Sequence, residues 1–227
     1  MHEDPLLEAI ATQALAYVAD AMVVGLGSGR AATAFVRALG TRVREGLQVT
    51  GVPTSEATAA VARECGIALA GLETVEVIDV TVDGADEVDP QLDLIKGYGG
   101  ALLREKVVAA ASRTQIILAG SEKLVPVLGS RGVLPVEVIS FARAFCKKRL
   151  EPLGCRPVLR MADGCPFVTD SGNNILDCGV RPIPAPRELD DAIRTIPGVV
   201  GTGLFLGMAE RVLVGAGGTV SELRRQR

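Results

Sequence analysis

The sequence predicts an α/β fold: a parallel sheet covered by helices on both faces, with a smaller α+β domain inserted before the last strand and helix. Three observations predict it. Nearly continuous β-branched runs alternate with amphipathic stretches over about 125 residues, the pattern of strands buried on both faces. The rhythm then changes to strand, helix, two strands, helix and strand. The chain has 227 residues, 48% of them apolar, which is enough for one large domain with a small companion.

Residues 6–18, LLEAIATQALAYV, place Leu7, Ile10, Ala14 and Val18 at helical spacing. MVVGLG is a short buried strand. Residues 30–39 form a helix with Ala32, Phe35, Val36 and Leu39 on one face. LQVTGV is the second strand, and SEATAAVAREC a helix with Ser55 at its N-cap. VEVIDVTV, residues 75–82, is a mostly buried strand broken by Glu76 and Asp79. The helix ALLREKVVAAAS, the strand TQIILAG and a helix starting near Ser121 follow. Next come the strand LPVEVIS and the helix FARAFCKKRLEPLG. RPVLRM and PFVTDSGNNILDC are strands turned at Asp170, Ser171, Gly172 and Asn173. PRELDDAIRTI is a helix and VVGTGLFL a strand, completing a β-α-β-β-α-β order that fits a ferredoxin-like unit. RVLVGAG and a terminal helix rejoin the first sheet. The expected division is 1–130 with 207–227, and 131–206.

Composition removes several function classes. Only 3% of residues are aromatic, Trp is absent and the formal net charge is −3. Neither base-stacking platforms nor a basic field for nucleic acid or anionic membrane is expected. The basic ending, Arg224, Arg225 and Arg227, reads as a solvated helix end favoured by the helix dipole. The acidic start MHEDPLLEA has no signal-peptide core, and no apolar run approaches the ~18 residues of a membrane span. A cytoplasmic protein is expected. The five cysteines (65, 146, 155, 165 and 178) include no CxxC and read as reduced, mostly buried thiols. His2 is the only histidine, so histidine catalysis and histidine metal ligation are set aside. No metal and no cofactor are expected, and a general base must be a carboxylate, a lysine or a cysteine.

Residues 83–106, DGADEVDPQLDLIKGYGGALLREK, hold the densest chemistry. They follow a buried strand, whose C-terminal end is where open sheets bind ligands. Asp83 and Asp86 stand three apart on a tight turn, so both carboxylates can point one way. Lys96 ends the apolar LDLI at a glycine turn, where an ammonium can hold a developing oxyanion. Glu105 is placed in the second turn of the next helix. Helical neighbours diverge by about 100°, so Arg104, Glu105 and Lys106 cannot share one pocket. Arg104 and Lys106 read as solvated charges, while Glu105 joins Asp83, Asp86 and Lys96. Asp89 and Asp93 have ordinary explanations in the turn around Pro90 and in solvent exposure.

Three more strand-to-helix junctions matter. GLGSGRAATAF, from Gly25, is either an anion-binding turn or merely a tight one that needs glycines. As a dinucleotide fingerprint it fails, because Arg30 stands where the third glycine belongs. VPTSEAT offers Thr54, Ser55 and Thr58 as helix caps or ligand contacts. AGSEKLVP puts Ser121 and Lys123 at the sheet edge, as surface groups or as site groups. Together these residues describe a metal-free proton-transfer site beside a phosphate site, suited to enolising a carbonyl compound.

The chain resembles ribose-5-phosphate isomerase of the A type, the metal-independent aldose–ketose isomerase of the pentose phosphate pathway. The resemblance covers nearly the whole length, through DGADEVD, LIKGYGGALLREK, SEK, LPVEVI, TDSGNNILD and IPGVVGTGLF in family order. It implies interconversion of D-ribose 5-phosphate and D-ribulose 5-phosphate through a cis-enediol, with Glu105 as proton acceptor and Asp83, Asp86 and Lys96 beside it. It implies substrate contacts at Ser28, Gly29, Arg30 and Ala31, at Asp83, Gly84, Ala85 and Asp86, at Lys96, Gly97, Tyr98 and Gly99, and at Lys123. It also implies a Rossmann-like domain plus a smaller α+β domain, in a homodimer or dimer of dimers.

The chain departs from the family where GSGRA replaces GTGST, where Leu6 and Leu7 replace a basic residue, and where Tyr98 interrupts a glycine run. Arg30 can supply the charge lost from the first two places, since a guanidinium grips phosphate bidentately. A sugar-phosphate sensor domain without catalysis is the main alternative. A CoA-transferase-like enzyme is a third reading, against which the small size weighs.

Overall fold

The structure, a computed structural model, describes residues 4–226; His2 and Arg227 lie outside the described residues. Along the chain run α1 (Pro5–Ala14), β1 (Val23–Leu26), α2 (Arg30–Arg44), β2 (Thr50–Pro53), α3 (Glu56–Glu64), β3 (Ala68–Leu69) and β4 (Val80–Gly84). Then come β5 (Glu87–Val88), β6 (Leu94–Ile95), α4 (Leu102–Ala110), β7 (Gln115–Gly120), β8 (Val133–Val138), α5 (Arg143–Leu150) and β9 (Arg156–Leu159). The rest are β10 (Met161–Ala162), β11 (Cys165–Pro166), β12 (Asn174–Gly179), α6 (Pro186–Arg194), β13 (Val199–Thr202), β14 (Leu204–Phe205), β15 (Arg211–Ala216) and β16 (Thr219–Arg224). The chain divides into two compact units. One is Met1–Ala85, Arg104–Leu124 and Gly207–Arg227; the other is Asp86–Leu103 and Val125–Leu206.

The first unit is built on a seven-stranded sheet of order β16-β15-β7-β4-β1-β2-β3, parallel except for β16. The chain winds outward from β1 in one direction and from β4 in the other. The switch point therefore lies between β1 and β4, where such sheets open a crevice beyond their carboxyl ends. Ile10, Phe35, Val36 and Leu39 pack with Val24, Leu26, Val82 and Leu118 on one face. Val108 of α4 packs with Val52 and Ile78 on the other. Asp4 caps α1 by accepting from Leu6 N–H, with Pro5 at the first helical position. Ser55 caps α3 by accepting from Thr58 N–H at 3.1 Å.

The second unit holds a four-stranded antiparallel sheet of order β13-β8-β12-β9. Counted in chain order these are strands 4-1-3-2, and α5 and α6 make the two crossovers, which is the ferredoxin-like arrangement. Leu134, Val136, Val138, Leu176 and Cys178 meet Cys146, Leu150 and Ile193 on its helix-covered face. A three-stranded sheet, β14-β6-β5, and a two-stranded one, β10-β11, complete the unit.

Several expectations are corrected. Among the described residues there is no terminal helix: Thr219–Arg224 is an antiparallel strand hydrogen-bonded to β15. Gly217 and Gly218 both have positive φ (55° and 81°), as a two-residue hairpin turn demands. Arg224 and Arg225 thus stand at no helix end, and Arg224 instead pairs with Glu222 at 2.8 Å. No α-helix starts near Ser121 either. Ser121–Lys123 is a single 3-10 turn, because Pro126 disfavours helical conformation before it. Residues 86–103 and 125–130 group with the second unit, since β5 and β6 pair with β14 rather than with the large sheet. All five cysteines are free, but Cys165 is exposed rather than buried. Among the described residues, no helix is long and apolar enough to cross a membrane.

Candidate functional site

In the first unit, chemistry collects at the carboxyl ends of β1 and β4. Asp83 is fully buried, at 0% exposure. Its Oδ1 accepts from Ser28 N–H at 3.1 Å and from Gly84 N–H at 2.7 Å. This approach is possible only because residue 27 is glycine: a Cβ there would lie 2.2 Å from Asp83 Oδ1 and 2.6 Å from its Cα. The Ser28 hydroxyl meets those of Thr54 and Ser55, each at 2.8 Å, and Thr58 Oγ1 donates to the Gly27 carbonyl at 2.9 Å. Hydroxyls thus lock the β1 loop to the start of α3.

This changes the reading of the glycine loop. Gly27 N–H is spent on the Val82 carbonyl at 3.0 Å and Ser28 N–H on Asp83. The anion-binding capacity shifts to the amides that open α2, from Arg30 onward, behind a Gly29 N-cap at φ 88°. Arg30 is the first residue of α2. Its side chain is 83% exposed and stands 3.5 Å from Asp4 Oδ2. Ala31 follows it, and Leu6 and Leu7 pack against the core.

Glu105 lies in the first turn of α4 rather than the second, and is buried at 5% exposure. Its neighbour Arg104 turns away to Glu56, 3.0 Å distant, so the divergence of helical neighbours holds. Lys123 ends the 3-10 turn after β7, half-buried.

In the second unit, Lys96 follows β6 and is 3% exposed. Its N–H donates to Gly203 carbonyl at 2.9 Å, and its ammonium lies 5.4 Å from the centre of the Phe205 ring. A cation over a ring face is stabilised by the ring quadrupole, which offsets part of the cost of burial. The turn after it needs glycine twice, at Gly97 (φ 111°) and Gly100 (φ 87°). Tyr98 fits between them because its backbone is not left-handed. Its N–H donates to Asp86 Oδ2 at 3.0 Å and its hydroxyl to the Val133 carbonyl at 3.3 Å. Burial, then the carboxylates of Glu87 and Asp86, push its pKa up to about 12, so it remains a neutral donor. Ala85 closes the first unit at the strand end, next to Asp86.

Sequence reasoning named each of these residues but missed those that support them. Phe205 under Lys96 and Arg160 beside the glycine turn lie some 60 to 110 residues from the groups of that segment they touch, and Asp177 holds Arg160 in turn. No local pattern signals them. Asp177 does fall within the quoted TDSGNNILD. Among the described residues, no group of three or more His, Cys, Asp and Glu side chains is placed to hold a metal ion.

The family model for ribose 5-phosphate isomerase A (phosphoriboisomerase A) matches residues 50–218. A ribose-5-phosphate isomerase A of Roseiflexus sp. (strain RS-1) is 49% identical over 216 residues, which is 94% of this chain and 93% of that protein. The solved ribose 5-phosphate isomerase A of Methanocaldococcus jannaschii superposes with a TM-score of 0.92 at 38% identity, covering 96% of this chain and 98% of that one. A D-ribose-5-phosphate isomerase solved in complex with phospho-erythronic acid gives 0.95 at 38% identity, covering 99% and 100%.

Proposed function

The chain belongs to the ribose 5-phosphate isomerase A family and is an isomerase, and we propose that it interconverts D-ribose 5-phosphate and D-ribulose 5-phosphate through a cis-enediol. The observation that carries this reading is that Asp83, Lys96 and Glu105, all from the quoted motifs, are among the buried ionisable side chains. Burying charge is costly, and such groups cluster where proton transfer is carried out.

Glu105 takes the C2 proton of the open-chain aldose, and the carbonyl oxygen on C1 becomes an oxyanion. Lys96 stabilises that charge, and Asp83 and Asp86 bind the sugar oxygens and relay the proton of the C2 hydroxyl to the C1 oxygen. Glu105 then returns the proton to C1, and C2 becomes the ketose carbonyl. One carboxylate serves both carbons because they share a face of the planar cis-enediol. The phosphate binds at the start of α2, through the amides of Gly29 to Ala31 and the side chain of Arg30, with Lys123 as a further cation. Ser28, Gly84 and Ala85 shape the loops around the sugar, and the turn of Gly97, Tyr98 and Gly99 contacts it. The protein works in the cytoplasm, in the non-oxidative branch of the pentose phosphate pathway, as a homodimer or dimer of dimers.

A coupled assay for ribulose 5-phosphate formed from ribose 5-phosphate tests the reading. Turnover in D₂O should also place deuterium in the product. Binding of ribose 5-phosphate without turnover would favour a sensor domain and overturn the reading.

A further inference from the structure

Arg160 lies between β9 and β10 with its side chain 14% exposed. Its guanidinium is used on two sides. Nε and Nη2 donate to Oδ2 and Oδ1 of Asp177 at 2.9 and 2.5 Å, a bidentate fork. Nη1 donates to the carbonyls of Gly97 and Tyr98 at 2.9 and 3.1 Å. The guanidinium carbon also stands 5.8 Å from the centre of the Phe167 ring. That ring fills the space a Cβ on Gly100 would need, at 2.6 Å.

The pair is set by the sheet. Asp177 pairs with Val158 across β12 and β9, so Arg160, two residues on, reaches it diagonally on the same face. The turn is thus gripped from both ends of one peptide: Asp86 takes the Tyr98 N–H and Arg160 takes the Gly97 carbonyl. Arg160 also takes the next carbonyl, that of Tyr98. In a trans peptide the N–H points opposite to the C=O. The Gly99 N–H is therefore aimed away from Arg160.

We propose that Arg160, held by Asp177, is a positioning residue that fixes the turn after Lys96 and aims the Gly99 amide at an oxygen of the substrate. The proposal rests on the reading above that this turn contacts the sugar. Only a guanidinium can do this, since the task needs donors in two directions from one plane, and a lysine ammonium on a flexible stem does not supply them.

The test uses the full-length enzyme with Asp177→Asn, which keeps side-chain shape, and Arg160→Lys. Folding is checked by circular dichroism and thermal melting. With folding intact, kcat should fall about tenfold to hundredfold, the scale of small misplacements of a reacting group. KM should change less than about threefold, as expected when transition-state contact is lost. In wild type, added ribose 5-phosphate should shift the Gly99 amide resonance in ¹H–¹⁵N spectra, and in either variant the shift should shrink. A folded variant with wild-type kcat and an undiminished Gly99 shift overturns the proposal. So does a rate lowered only in proportion to lost folded protein. If Arg160→Lys fails to fold, Asp177→Asn alone decides by the same two readouts. A wild-type enzyme that binds ribose 5-phosphate without converting it overturns the isomerase reading instead, and the Gly99 shift still judges the clamp.

Discussion

Glu105 stands in the first turn of α4, where the amide dipole favours a carboxylate, yet only 5% of its surface reaches solvent. As the proposed base, it has a chemical reason to be buried. Glu105→Gln keeps the shape and removes the basicity. It should lower kcat by the ~10²–10⁴-fold typical of general base catalysis, leave substrate binding nearly intact and abolish exchange with D₂O. Retention of more than about a tenth of wild-type kcat would remove Glu105 from that role and point to Asp83 or Asp86. Arg30 poses the opposite case, an exposed side chain whose partner Asp4 is 3.5 Å away. Exposed pairs contribute little, about 0–1 kcal/mol, so a dianionic phosphate should displace Asp4. Arg30→Ala should cost about 1.5–3 kcal/mol, read mainly as a raised KM for ribose 5-phosphate. Asp4→Ala should leave KM unchanged or lower. An unaltered KM in Arg30→Ala would mean that the amides opening α2 hold the phosphate alone.

Elements with a clear hydrophobic period were legible from sequence. The four residues expected on the inner face of α2, Ala32, Phe35, Val36 and Leu39, are all fully buried. The closing hairpin was not legible, because SELRR has the composition of a helix and the decisive signal was the Gly217-Gly218 pair. In that hairpin Glu222, 20% exposed, receives Arg224 and Arg211, whose hydrogen bonds pull its pKa down to about 2. A carboxyl depressed in the folded state adds stability above its unfolded pKa and loses it as pH falls toward 2. Glu222→Gln should therefore destabilise the protein at pH 7 by roughly 1 kcal/mol, allowing for solvent screening, and not at pH 2. Equal melting temperatures of the two proteins at pH 7 would count against this. The β1 loop gives a sharper case. Gly27→Ala would drive a Cβ into Asp83, so it should cost about 1–3 kcal/mol in denaturant unfolding and lower activity with it. A variant as stable and active as wild type would show that the loop yields.

At the scale of the whole chain, the sheet order explains why the motifs could be found but not their supports. A doubly wound sheet brings the ends of β1 and β4 together at the switch point, so Ser28 and Asp83 meet although 55 residues separate them. Strand-end motifs such as GLGSG and DGADE are local, and the sequence displays them. The contacts of Lys96 with Phe205 and of Gly97 with Arg160 depend on how distant strands pair, which no local pattern encodes. The buried charges also bear on what the enzyme requires from solution. An isomerase that enolises a sugar needs a positive partner for the developing oxyanion, from either a cation or a protein group. Here the lysine ammonium, already desolvated and resting on an aromatic ring, is suited to that task. The activity should accordingly survive exhaustive dialysis against EDTA, with kcat and KM unchanged. Loss of turnover on chelation, regained when a divalent cation is added, would transfer the oxyanion from Lys96 to a metal and refute the proton-transfer scheme as drawn.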